Sequence, residues 1–191
     1  MLLYHTGHHE LRDPDIRVGR KNADFGRGFY LSFSDAFAGK WVREQPGLEA
    51  YVNTYEMDFE GLRVRRLKRD EEWFDAIFRN RSGREDPFPE EDVIIGPIAN
   101  DTIYNTFGIF TSGLLSREQA LRLLQVGPAF EQIAIKSDRA RERLRWLSSR
   151  ILTREETASM RSLLAREEEA YQLALAQAFA ETERAAARED F

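Results

Sequence analysis

A few side chains in this sequence could act together on a ribosyl nucleotide. His5 ends a short apolar opening, Tyr30 sits in a glycine-flanked aromatic stretch, and Glu131-Gln132 opens a late apolar run. An imidazole can hydrogen-bond a hydroxyl, a phenol ring can stack on a flat heterocycle, and a carboxylate can offset positive charge. These residues lie in the phrases Tyr4-His5-Thr6-Gly7, Asp24-Phe25-Gly26-Arg27-Gly28-Phe29-Tyr30-Leu31-Ser32 and Glu131-Gln132-Ile133-Ala134-Ile135; Gly96-Pro97-Ile98-Ala99-Asn100-Asp101 falls between the last two. Arg17, Arg20, Lys21 and Arg27 crowd the loop between the first two phrases. Guanidinium forks there would suit phosphate oxygens, and plain solvation is the alternative. Asn100-Asp101 can equally cap a helix or close a pocket.

Alternation and capping place these phrases on elements. Leu2 to His5 reads as a first strand, and Gly28 to Ser32 as a second, separated by a loop over 6–27 of a length usually reserved for function. Ser34 caps a helix to about Gln45 carrying Phe37, Trp41 and Val42 on one face. Tyr51 to Met57 alternates as a strand, Leu62 to Leu67 as a half-exposed one, and Asp70 to Asn80 has helical spacing of Trp73, Phe74, Ile77 and Phe78. Asp92 to Ile95 is a short extended segment leading into Gly96-Pro97. Ser116 to Gln119 and Thr153 to Glu156 have capping-box form; the first opens a helix to Gln125, the second an alanine-rich helix to about residue 188. Glu131 to Ile135 is strand-like, so Glu131 and Gln132 must face opposite sides and only one can enter a shared pocket. Ser137 to about Arg145 reads as a helix. Over 136–150, six cations oppose two carboxylates for a net charge of +4, which suits a solvated helix face, or a contact with nucleic acid or an acidic partner.

Bulk properties narrow the field. The 191 residues are 42% hydrophobic and 32% charged, a globular profile long enough for a sizeable core. A net charge of −5 argues against a nucleic-acid glove over the whole surface. Without cysteine there are no disulfides, thiolate metal sites or cysteine nucleophile. His8 and His9 are adjacent loop residues without partners at helical spacing, so no metal is expected. The opening residues lack the form of a signal peptide and no stretch could span a bilayer. The expected location is the cytoplasm, or a target cell reached without a classical signal, with no membrane partner.

The first two of these phrases resemble the first and second motifs of the histidine–tyrosine–glutamate branch of the ADP-ribosyltransferase superfamily. Gly19-Arg20-Lys21-Asn22 running to Asp24-Phe25-Gly26, together with Gly96 to Asp101, resembles most an uncharacterised bacterial, toxin-like family within it. The resemblance covers roughly residues 1–146. It implies an α+β fold of two small, packed antiparallel sheets split around an NAD cleft. The catalytic domain would occupy 1–150 and a C-terminal helical extension 151–191. It implies NAD as substrate, no metal, and ADP-ribosyl transfer to a protein or nucleic acid by a bacterial toxin or effector, with an antitoxin or immunity protein as partner. His5 would hold a ribose hydroxyl, the Thr6 backbone would meet the carboxamide, and Tyr30 and Trp41 would stack on the nicotinamide. Arg20, Lys21, Asn22, Phe25, Ser32, Asn100 and Asp101 would complete the binding site.

For the catalytic position the resemblance favours Gln132 slightly over Glu131; a neutral amide would stabilise a cationic sugar less. Thr6 stands where that branch usually has glycine, and its branched Cβ restricts close approach. The alternatives are NAD hydrolysis, and a degenerate module that binds a nucleotide or a protein without turnover. The terminal helix, with Met160, Leu163, Leu164, Tyr171, Leu175, Ala178 and Phe179 along one side, could pack on its own chain or on a partner.

Overall fold

The structure, a computed structural model, describes residues 1–39, 47–99, 108, 110–126 and 130–189. Trp41, Asn100 and Asp101 lie outside the described residues. The described strands are β1 (Leu2–Gly7), β2 (Phe29–Ser32), β3 (Tyr51–Met57), β4 (Val64–Arg66), β5 (Val93–Pro97), β6 (Glu131–Ile135) and β7 (Leu144–Ile151). They form one mixed seven-stranded sheet in the order β4-β5-β6-β2-β1-β3-β7. Neighbours are antiparallel except β4 and β5. Hydrogen bonding thus joins the strands into one sheet where the motifs suggested two. Yet that sheet is nearly halved: β2 pairs along its whole length with β6, and β1 along its whole length with β3, but β1 and β2 share only the pair Tyr4↔Ser32.

Alternation decides which side chains each face buries. Leu3, Phe29, Leu31, Tyr55, Met57, Val93, Ile95, Ile133 and Ile135 form one core cluster, joined by Ile16 from the long loop. On the other face Gly96 lies against Phe25 and Leu67, close enough that a Cβ would stand 3.0 Å from the Phe25 ring and 3.1 Å from Leu67 Cβ. β5 is buried on both sides, as its unbroken apolar run requires. Helix α2 (Glu71–Arg81) buries Trp73, Phe74, Ala76 and Ile77, and the Trp73 indole donates to the Pro97 carbonyl at 2.9 Å. Truncating a side chain as large and as buried as Trp73 costs about 3–5 kcal/mol.

Local chemistry accounts for the helix starts. Ser34 caps α1 (Asp35–Ala38), accepting from the Phe37 amide, and Asp70 caps α2, accepting from the Trp73 amide. Ser116 and Gln119 close a capping box on α3 (Arg117–Leu124). Thr153 and Glu156 do the same on α5 (Arg154–Glu189), with bonds of 3.2 and 2.8 Å.

A local expectation also needs correction. The segment from Ser137 to Arg145 is not one helix: α4 covers only Asp138–Arg141, and the chain then turns into β7. β7 pairs with β3 through a bulge, where the register passes from Thr54↔Ser148 to Tyr55↔Trp146. The extra residue, Leu147, interrupts the period-two signal, which hid the strand. Five of the six cations in the basic run meet carboxylates. Lys136 meets Asp86, Arg139 meets Asp92, Arg141 meets Asp13, Arg145 meets Glu56, and Arg150 meets Asp35 and Glu156.

The chain divides into two compact units, Met1–Ile98 with Phe130–Ser162, and Ala99–Ala129 with Leu163–Phe191. In the second unit Leu115, Leu123, Tyr171 and Ala178 form a small core with Ala174, Leu175 and Phe179. Gln119 donates to the Ala178 carbonyl at 3.3 Å, and Arg122 pairs with Glu181 at 2.9 Å. The apolar side of α5 is therefore covered there by its own chain. Among the described residues no helix is long and apolar enough to cross a membrane.

Candidate functional site

The place where β1 and β2 part brings the first two motifs together. Beyond Tyr4↔Ser32, His5 replaces the missing ladder bond: its Nδ1–H donates to the Tyr30 carbonyl at 2.8 Å. That bond leaves Nε2 as an acceptor, near enough to Gly7 that a Cβ there would stand 3.6 Å from it. The imidazole packs against the Phe29 ring with centroids 4.5 Å apart. Burial lowers the His5 pKa, and the bond to Tyr30 opposes that only in part, so the ring is neutral at pH 7.

Thr6 stands on the same gap. The Met57 amide bonds to the Met1 carbonyl, and antiparallel alternation from there turns the peptide groups of Leu2, Tyr4 and Thr6 toward β2. The Thr6 position lies opposite Tyr30, whose carbonyl is taken by His5. Thr6 is 7% exposed, and its Oγ1 is buried without a hydrogen-bond partner among the described residues.

Tyr30 is half-buried and its side chain leaves the sheet on the face opposite His5. Its hydroxyl donates to the Gly26 carbonyl at 2.7 Å and accepts from the Phe25 amide at 2.9 Å. Burial, with the Asp24 carboxylate nearby, pushes its pKa well above the ordinary phenol range. Phe25 is fully buried, its ring 6.5 Å from that of Tyr30. Ser32 is buried and accepts from the Ser34 amide at 3.1 Å. Arg20, Lys21, Asn22 and Arg27 are exposed on the loop before β2, while Arg17 is held by Asp15 at 2.9 Å.

Glu131 and Gln132 separate as strand geometry demands. Gln132 is 4% exposed and donates its amide to Asp24 Oδ2 at 2.6 Å. Glu131 is exposed, on the face shared with Leu31, Ile133 and His5. The partner of Gln132 belongs to a network that sequence reasoning missed. Asp24 is 3% exposed and is gripped by the Arg81 guanidinium, with Nε at 2.7 Å. Asn80 donates to the Asp24 carbonyl at 3.0 Å, and Lys136 reaches the Phe25 carbonyl at 2.8 Å. These bonds tie the loop to α2 and β6, and so hold Tyr30's hydroxyl partners in place. An aspartate inside the second motif was a signal for such a role; its partner Arg81 carried none.

Glycine makes the same loop fit. A Cβ on Gly28 would lie 2.7 Å from the Ile135 carbonyl oxygen, and one on Gly19 would run into the Gly28 carbonyl. The backbone of the loop is thus laid directly on the start of β2, and that start on the end of β6.

A recess of about 190 Å³ lies elsewhere, lined by Asp13, Pro14, Asp15, Arg17, Asp138 and Arg141. It contains none of the motif residues, and its charges pair with one another. Among the described residues no group of three or more histidine or acidic side chains could hold a metal ion.

No curated protein matches the chain. The model of a family described as "Protein of unknown function (DUF3990)" matches residues 1–146, which include β1, β2, β6 and the network that holds them. The chain belongs to the DUF3990 family.

Proposed function

We propose that the chain binds NAD across the gap between β1 and β2 and transfers its ADP-ribosyl group to a macromolecular acceptor. The observation that carries this reading is the parting of the two strands after one pair, with the His5 imidazole and the Thr6 polar groups at the opening. A ligand that threads such a gap meets both sheet faces, so His5 and Tyr30 need not share one. Arg20 and Lys21, exposed on the adjoining loop, suit the diphosphate.

In the reaction the bond from nicotinamide nitrogen to ribose C1 breaks and its electron pair leaves with nicotinamide. The sugar takes on oxocarbenium character, and an acceptor oxygen or nitrogen then bonds to C1 and gives up its proton. With the Gln132 amide committed to Asp24, Glu131 is the carboxylate left at the opening of β6 to stabilise that cation. The neutral His5 keeps Nε2 available to accept from a ribose hydroxyl.

The same pair supports a second reading. A buried amide at 132 and a solvent-facing carboxylate at 131 also suit a module that binds the nucleotide without turnover. Incubation of the purified chain with NAD, following nicotinamide release and the melting temperature together, tests both. Nicotinamide release with a modified acceptor supports transfer, and free ADP-ribose alone selects hydrolysis. Protection without release selects binding, and the absence of both protection and release refutes the NAD reading.

A further inference from the structure

We propose that Arg81 is a positioning residue for the nucleotide site: through Asp24 it fixes the loop that locks the Tyr30 hydroxyl. The inference rests on the NAD reading above and goes beyond it, since Arg81 ends α2 and belongs to neither strand of the gap. It starts from the burial of an ion pair. Asp24 is 3% exposed and the Arg81 side chain 10%, so both charges have left water. Such a pair gives little net stability, because desolvation offsets the attraction and apolar residues of the same volume often serve as well. What it supplies is direction. The guanidinium reaches Asp24 Oδ1 through both Nε and Nη2, and Asp24 Oδ2 accepts from the Gln132 amide at 2.6 Å.

That direction passes to Tyr30 along the next two residues. Phe25 donates its amide to the Tyr30 hydroxyl at 2.9 Å, and the Gly26 carbonyl accepts from the same hydroxyl at 2.7 Å. Gly26 turns the chain there at φ +77°, a conformation that glycine adopts without strain. Both partners of the phenol therefore follow Asp24 directly in the chain, and a displacement of Asp24 moves both. Asn80 and Lys136 hold the carbonyls of Asp24 and Phe25, whereas Arg81 anchors the loop by a side-chain charge. A Tyr30 ring released from this hold has to be ordered again when a nucleotide binds, at a cost in affinity. Arg81 thus acts on the ligand by way of Asp24 and Tyr30.

Arg81→Met alone leaves Asp24 buried without its partner charge and should melt about 6–20 °C lower. Asp24→Asn combined with Arg81→Met removes both charges, keeps an oxygen to accept from Gln132, and should melt within about 4 °C of the parent. This paired variant carries the test even where Arg81→Met does not fold. NAD affinity is read by calorimetric titration of the full chain, at a temperature where each variant is folded, so that lost stability alone does not move it. The paired variant should bind NAD about tenfold more weakly than the parent. Tyr30→Phe should weaken binding by a similar factor, and adding it to the paired variant should weaken binding no further, because both changes release the same ring. Three results would overturn the proposal and leave the NAD reading standing: parental affinity in the paired variant, effects that multiply when Tyr30→Phe is added, or an Arg81→Met chain that melts with its parent. If the parent chain does not bind NAD, the NAD reading falls and this proposal with it.

Discussion

Replacing Gln132 with glutamate changes only an amide to a carboxylate, at a position 4% exposed and 2.6 Å from Asp24 Oδ2. The amide donates there; an ionised carboxylate cannot. Two unit charges about 3 Å apart repel by about 5 kcal/mol at an effective dielectric near 20. The chain can avoid this by keeping the introduced acid protonated. At pH 7 that costs about 1.4 kcal/mol for each of the roughly 2.7 pH units above an ordinary glutamate pKa near 4.3, about 4 kcal/mol in all. Protonation is the smaller cost, so it sets the result. Because burial beside Asp24 raises the folded pKa of the introduced acid, the variant is closest to its parent below about pH 4.3 and loses stability as pH rises. For a chain of this size the melting temperature should fall by about 8–16 °C at pH 7, with the deficit closing toward pH 4.5. Gln132→Ala is the control: it loses a bond to a charged acceptor worth about 1.5–3 kcal/mol, without the same pH dependence. Melts in matched buffers from pH 4.5 to 7.5 measure both. A Gln132→Glu variant that melts with its parent at pH 7 would refute the Asp24 contact, and with it the ground for preferring Glu131 in the proposed reaction.

Other outcomes follow from the same geometry. Glu131→Ala should leave the melting temperature within about 1–2 °C of the parent, since the residue is exposed, while NAD turnover drops about 10²–10³-fold; undiminished turnover would remove Glu131 from the chemistry. Gly28→Ala should cost about 1–3 kcal/mol, because its Cβ would meet the Ile135 carbonyl at 2.7 Å, and an unchanged denaturation midpoint would show that the loop can lift. His5 has a lowered folded pKa, so the unfolded chain takes up the proton more readily; stability should be full above about pH 6.5 and decline as pH falls through it. His5→Gln should lose that slope in denaturant titrations from pH 5 to 7, and a slope that persists would place its origin elsewhere.

Much of this molecule could be read directly from the chain. β3 runs over the residues that period-two spacing marked out, and β6 over the short apolar run that reads as a strand, because β6 is buried on both faces beyond Glu131. The starts of α1, α2, α3 and α5 follow from Ser34, Asp70, Ser116 and Thr153, since a cap is satisfied by residues two or three positions away. That Glu131 and Gln132 must diverge was equally local. Which of them turns inward was not: it depends on Asp24, far away in sequence, being carried against β6 by Arg81 of α2. The strand β7 escaped notice because its bulge answers to the register of β3, and the positive run beside it lost its apparent meaning once distant carboxylates folded onto it. The parting of β1 from β2 has no local sign either. It shows only in the cross-strand register, where β1 follows β3 for its whole length, β2 follows β6, and the two meet at a single pair, relations between distant segments that exist only when the chain is closed.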